Sequence, residues 1–234
     1  GKSTVGRSLL KLHPGSTQIT AKALQFGDVD LLSASEKAMQ KIRGQRISMI
    51  MQDPKYSLNP VVKVGDQIAE AYLAHHKASR SEARERVLEM LEKVHIRDPQ
   101  RVYNLYPHEV SGGMGQRIMI AMMVITRPQV IIADEPTSAL DVSVRQQVLN
   151  VLEELVEQQE MGLIFVSHDL NLVRNYCDRV LVMYAGRVVE SLAAGDLQHA
   201  QHPYTRGLMA ALPSMDNRRE RLPVLQRDPL WLTC

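Results

Sequence analysis

The stretch VSGGMGQRIMIAMMVITRPQVIIADEP, Val110 to Pro136, decides how the rest of the chain is read. It opens on a serine and two glycines. The apolar run Ile118 to Ile125 follows, then a short β-rich run ending in Asp134 and Glu135. Small residues at the start of a helix let backbone N–H groups come close to an anion. The plainer alternative is an N-cap serine followed by a flexible turn. An apolar strand delivering two acids is what a Mg²⁺-nucleotide site needs. Asp134 would hold the metal through water, and Glu135 would polarise an attacking water as general base. Taken alone, the pair reads equally as a strand ending in a solvated acidic turn. The informative feature is the order: glycine turn, one helix, acidic strand.

Working outward, RISMIMQD (Arg46 to Asp53) predicts a strand followed by a polar loop, and MGLIFVSHD (Met161 to Asp169) a second strand ending at His168. Short apolar runs ending in polar residues suit buried parallel strands, whose functional groups collect at their carboxyl ends. DRVLVMYAGRVVESL (Asp178 to Leu192) predicts two strands across a tight Ala185-Gly186 turn. Between about Asp53 and Arg127 the pattern is mostly helical. SRSEARERVLEMLEKV opens with a capping box, Ser79 and Glu82, and places Ala83, Val87, Met90, Leu91 and Val94 on one face. DVSVRQQVLNVLEELVEQQ (Asp141 to Gln159) is a further amphipathic helix. The alternation of strand and helix predicts an α/β layered fold. The tail after Pro213, with Pro223 and Pro229, reads as polar and loosely structured.

The chain begins GKSTVGRSLLKL, which matches the back half of the phosphate-binding loop G-x-x-x-x-G-K-[ST]. In such a loop Gly1 would contribute backbone to the cradle. Lys2 would reach the β- and γ-phosphates, Ser3 would ligate Mg²⁺, Thr4 would assist at the phosphates, and the residues after them would form the helix. The sequence is therefore expected to start inside a longer protein. With 28 basic and 26 acidic residues, the charge of +2 gives no reason to expect a nucleic-acid surface. Cys177 and Cys234 are too few and too far apart for a disulfide framework or a metal cage, and a reduced compartment fits best. The longest apolar run, Ile118 to Ile125, falls far short of the roughly 18 residues that span a bilayer. The chain is expected to sit on a membrane at most.

Taken together, the motifs resemble the ATP-binding subunits of ABC transporters, from the end of Walker A to the C-terminus. VSGGMGQR is similar to the ABC signature, IIADEP to Walker B, SALD (Ser138 to Asp141) to the D-loop, VSHD to the switch-histidine strand and IMQDP to the Q-loop, all in family order. QDPKYSLNP, YPHEVSGGM and HPYTRGLMAALPS resemble the dipeptide, oligopeptide and nickel importer subfamily. Met114 stands where most ABC proteins have glutamine, as in that subfamily. Gly115 departs from the arginine usual at its position.

The resemblance implies a P-loop NTPase fold with a RecA-like core and an inserted helical subdomain at about residues 54–126. The ATPase domain would span residues 1–212, followed by a tail, 213–234. It implies ATP and Mg²⁺ as ligands. Gln52 would sense the γ-phosphate and metal, and His168 would contact the γ-phosphate. Ser111, Gly112 and Gly113 would grip the ATP of the opposite subunit, and Asp141 would link the two sites. His108, His199 and His202 match no catalytic role and are expected to be structural or exposed. The implied partners are integral membrane permease subunits, a second ATP-binding subunit (identical or related) and, indirectly, a substrate-binding protein, with no nucleic acid. The implied place is the cytoplasmic face of the plasma (inner) membrane, as a peripheral subunit. The adenine-stacking aromatic would lie upstream of Gly1. The tail carries only Cys234, so no iron–sulfur cluster is expected. The strand leading into the phosphate loop is expected beside the Walker B strand, and its loss should leave an unpaired edge and poor hydrolysis by the fragment. Two alternatives stand beside the importer subunit: a soluble ABC ATPase without a transport role, and an inactive truncated remnant.

Overall fold

The computed structural model describes residues 1–52, 57–138, 140–212, 228 and 231. The chain runs α1 (Lys2–Leu9), a short hairpin of β1 (Gln25–Phe26) and β2 (Val29–Asp30), α2 (Glu36–Ile42), β3 (Ile47–Ile50) and α3 (Val64–Leu73). It continues through α4 (Arg80–Lys93), α5 (Pro99–Tyr103), α6 (Gly112–Val124), β4 (Val130–Asp134), α7 (Val142–Gln158) and β5 (Gly162–Val166). It ends with α8 (Leu170–Tyr176), β6 (Arg179–Tyr184), β7 (Arg187–Ala193) and α9 (Pro203–Ala210). Two compact units result: a larger one, Gly6–Val166, and a smaller one formed by Gly1–Val5 with Ser167–Cys234.

In the larger unit β3, β4 and β5 form a parallel sheet with β4 in the middle. Parallel strands need covered faces, and Ile131, Ile132 and Ala133 of β4 are fully buried. This pairing corrects one expectation. Both edges of β4 are occupied, so no further strand lies beside the acidic strand. Among the described residues β3 and β5 are the edge strands, each paired with β4 as its one partner strand, and Ile164 of β5 is 40% exposed. The sheet's edges therefore lie on β3 and β5, not on the acidic strand.

The helices between β3 and β4 form one apolar core with β4 and α7. Ser79 caps α4 by accepting the Glu82 N–H at 3.2 Å, and Ala83, Val87, Met90, Leu91 and Val94 are all buried. Gly65 lets α3 lie against α5: a Cβ there would sit 2.2 Å from the Tyr103 ring. The Tyr103 hydroxyl donates to Asp66 at 3.1 Å, and Arg84 lies over the ring at 4.1 Å. A second core joins Leu10, Leu31, Met39, Ile42, Met49 and Ile132. The hairpin β1–β2 and helix α2 that contribute to it have no counterpart in the sequence reading. Their segments are too short to show a period.

In the smaller unit β6 and β7 pair antiparallel. Ala185 and Gly186 both take positive φ, 45° and 84°, the geometry a two-residue turn between right-twisted strands requires. Tyr184, Tyr204 and Trp231 form an aromatic cluster with centroids 4.7 to 5.4 Å apart, Tyr184 and Trp231 edge to face and the other two pairs tilted. Most of the tail 213–234 lies outside the described residues.

Candidate functional site

Helix α1 begins as the phosphate-loop motif predicts, with Gly1 C=O accepting the Val5 N–H at 3.1 Å. Lys2, Ser3 and Thr4 thus lie in its first turn. Gly6 is buried, and a Cβ there would meet Cγ2 of Ile132 at 3.2 Å. A glycine at this point allows the helix to lie close to β4.

Helix α6 begins at the paired glycines. Ser111 has extended backbone, and its Oγ accepts the Met114 N–H at 3.3 Å. Gly112 and Gly113 are therefore helical, which sets aside the flexible-turn alternative. Their N–H groups belong to the first turn, where no intrahelical acceptor is available and the helix dipole favours an anion. Ser111 and Gly112 are exposed, whereas Gly113 and Gly115 are buried. Arg117, one turn on, donates through Nη1 to the His95 carbonyl at 2.7 Å. Burial, and the nearby Arg97, hold its guanidinium below its ordinary pKa.

Asp134 ends β4 and is 4% exposed. Glu135 leaves the strand with φ of 49°, a left-handed conformation that costs a non-glycine residue about 1 kcal/mol or more. Backbone bonds hold it there: its N–H donates to Val166 C=O at 2.9 Å, and its C=O accepts from Ser138 N–H and Oγ, each at 3.2 Å. Gln52 lies just past β3, and its Nε2 donates to Glu135 Oε2 at 3.5 Å. The parallel register of β3 on β4 brings these two residues together across 83 positions of sequence. Asp134 ends its strand and Gln52 lies just past its own, both at the carboxyl ends where open α/β sheets bind ligands.

Asp141 is engaged as the N-cap of α7. Its Oδ1 accepts the Val144 N–H at 3.0 Å and the Ser143 hydroxyl at 2.8 Å. These bonds, the Val144 one first, hold its carboxyl below the usual carboxylate range. In the smaller unit His168 is exposed, and its neighbour Asp169 caps α8 through the Asn171 and Leu172 N–H groups at 3.0 and 3.3 Å. His202 is buried, while His108 and His199 are exposed. The sequence reading missed Val144, which packs on the signature turn. Its only signal in the sequence is its place three residues after the capping Asp141.

Within the larger unit, Gln52 and Asp134 offer amide and carboxylate oxygens, the hard donors that Mg²⁺ takes. Among the described residues no three His, Cys, Asp or Glu side chains converge as a cage. A donor set of that kind suits an ion that keeps water and substrate phosphate as further ligands.

Residues 1–138 match the family model described as ABC transporter. That span is more than half of the chain. The chain belongs to the ABC transporter family. A probable peptide ABC transporter ATP-binding protein of Sinorhizobium fredii is 48% identical over 98% of this chain and 68% of its own length. An oligopeptide transport ATP-binding protein of Bacillus subtilis is 43% identical over 100% of the chain and 66% of its own length. A dipeptide transport ATP-binding protein of Haemophilus influenzae is 43% identical over 97% and 69%. The chain thus spans about two thirds of the length of these relatives. Among solved structures, an ATP-binding cassette captured as a dimer in a post-hydrolysis state with ADP and Pi superposes with a TM-score of 0.72 at 26% identity. The match covers 83% of this chain and 81% of that one. The ABC cassette is an ATP-binding, ATP-hydrolysing module, and this chain is a member of that family of ATPases. No helix among the described residues is long and apolar enough to cross a membrane.

Proposed function

We propose that this chain is the ATP-hydrolysing subunit of an ABC importer for peptides or a related small solute. It would lie peripherally on the cytoplasmic face of the inner membrane, against integral permease subunits and a second ATP-binding subunit, and serve a substrate-binding protein indirectly. The single observation that carries the proposal is the Gln52–Glu135 contact at 3.5 Å at the end of the acidic strand. It joins the residue that would report the nucleotide to the residue that would act on water. The relatives described as peptide, dipeptide and oligopeptide transport proteins support the substrate class.

Each residue then has a role. Gly1 and the N–H groups after it face the phosphates, Lys2 neutralises the β- and γ-phosphates, and Thr4 assists there. Ser3, Gln52 and Asp134 would hold Mg²⁺, which when bound would supply neutralisation of charge developing on the phosphates. Glu135 takes the proton of the attacking water, its carboxylate lying 3.5 Å from the Gln52 amide. His168 contacts the γ-phosphate. Ser111, Gly112 and Gly113 present their backbone and hydroxyl to nucleotide held by the second subunit, and Asp141 links the two sites. ATP bound more tightly by the closed dimer than by the open one drives closure, and hydrolysis reopens it.

The test uses the full-length protein reconstituted with its permease subunits in vesicles. Glu135→Gln should lower kcat at least about 100-fold while ATP still binds, as expected for loss of a general base. Labelled peptide should accumulate only with the wild-type subunit. Hydrolysis stimulated by ribosomes or nucleic acid, with no uptake, would sink the importer assignment in favour of a soluble ABC ATPase.

A further inference from the structure

The first turns of α6 and α7 meet at one point. A Cβ built on Gly113 would lie 2.3 Å from Cγ1 of Val144, and one on Gly112 would meet Cδ2 of Leu140 at 3.9 Å. Only a hydrogen atom fits between Gly113 and Val144. Both partners are held from behind. Val144 N–H is fixed by the Asp141 carboxylate at 3.0 Å, and a β-branched side chain in a helix has essentially one rotamer. Gly113 follows the Ser111 cap, and its carbonyl accepts Arg117 Nε at 3.4 Å.

We propose that Val144 is a positioning residue for the signature turn: its side chain seats Gly113, and so sets where Ser111 and Gly112 present their backbone to the second subunit. The proposal rests on the assignment of residues 111–113 as the turn that grips the opposite nucleotide. It adds that the turn is keyed to the D-loop helix of its own chain through Gly113 and Val144. The two elements move as one piece. A displacement of the D-loop is passed to the signature through a steric contact with no slack, because well-packed groups do not deform smoothly.

The experiment uses full-length protein carrying Glu135→Gln, so that ATP is not consumed. Sedimentation velocity reads the ATP concentration for half-maximal dimerisation. A fluorescent ATP analogue reads binding to the separate subunit, and thermal unfolding reads folding. Gly113→Ala should raise the dimerisation midpoint at least about tenfold, an effect of overpacking, with nucleotide affinity of the separate subunit unchanged and the unfolding temperature lowered by no more than several degrees, so that the protein is folded at the assay temperature. Adding Val144→Ala should restore the midpoint to within about threefold by making room for the new methyl group. A defect that Val144→Ala does not relieve would mean that the methyl obstructs the opposite nucleotide itself, and would overturn the proposal. So would a harmless Gly113→Ala. Where Gly113→Ala does not fold, Val144→Ile tests the same contact with Gly113 intact. It should shift the midpoint about threefold in the same direction, and no shift overturns the proposal. A Glu135→Gln parent that never dimerises in ATP is a different outcome. It would remove the underlying site assignment and the proposal with it.

Discussion

Two histidine-bearing loops of the smaller unit make opposite use of the same side chain. His168 precedes α8, and the capping of that helix is done by its neighbour Asp169, which accepts two backbone N–H groups. The imidazole is left exposed. His202 precedes α9 and is itself the cap: its Nδ1 accepts the Tyr204 N–H at 3.1 Å. Its Nε2 lies 3.1 Å from the Trp231 carbonyl. The first nitrogen must be an unprotonated acceptor and the second a donor, so the neutral Nε2–H tautomer is the one that satisfies both. The difference lies in which residue closes the helix. Where an aspartate caps, the histidine is exposed at the end of the loop. Where the histidine itself caps, it becomes part of the structure.

Crossed substitutions in the full-length protein test this contrast, and the largest effect is expected at His168. His168→Ala should lower kcat at least about 100-fold, in the range seen when a group acting in proton transfer or charge stabilisation is lost. The unfolding temperature should stay within about 2 °C of wild type, since surface substitutions away from caps and cores cost little. A variant that unfolds markedly earlier would place His168 with His202 and dissolve the comparison.

His202→Ala should behave the other way. It removes an N-cap and strands the buried Trp231 carbonyl, at a cost of about 1–3 kcal/mol. The smaller unit should unfold several degrees earlier, with kcat within about threefold of wild type at temperatures where it is folded. Loss of hydrolysis without loss of stability would sink this assignment.

The sequence reading placed His168 at the end of a strand and left His202 as structural or exposed. It showed neither which residue caps each helix nor how buried each imidazole is. The same division runs through the larger unit. Strand ends at Asp134, the capped start of α4 and the Ala185-Gly186 turn are local matters of period and turn chemistry, and they were legible. The place of β5 beside β4 was not, because pairing order is a long-range property that no local period encodes. Nor was the Gly113–Val144 contact. It depends on the angle at which two helices, 31 positions apart in sequence, leave their strands and turns. Of the proposed site, the residue types were readable from motif order. The readable part stopped short of geometry: the left-handed Glu135, the Gln52 contact and the use of Asp141 as a cap.

Asp141 extends the comparison to the larger unit and gives the smallest expected effect. Like Asp169 it caps a helix, and here the titration can be followed. Its carboxyl is held below the ordinary value of 3.8 by the Val144 N–H and the Ser143 hydroxyl. A carboxylate whose pKa is lower in the folded state stabilises the fold above its unfolded pKa. That contribution disappears as the pH falls through the folded value. Asp141→Asn keeps a good cap but does not ionise. Urea midpoints for wild type and variant should therefore run parallel above about pH 5, where the carboxylate is ionised in both states. Below that the wild type should lose stability more steeply, and the gap between the curves should narrow towards pH 2. Equal acid slopes would mean that the cap is as favourable protonated as ionised, so that α7 is held at this end by Val144 packing rather than by the charge of Asp141.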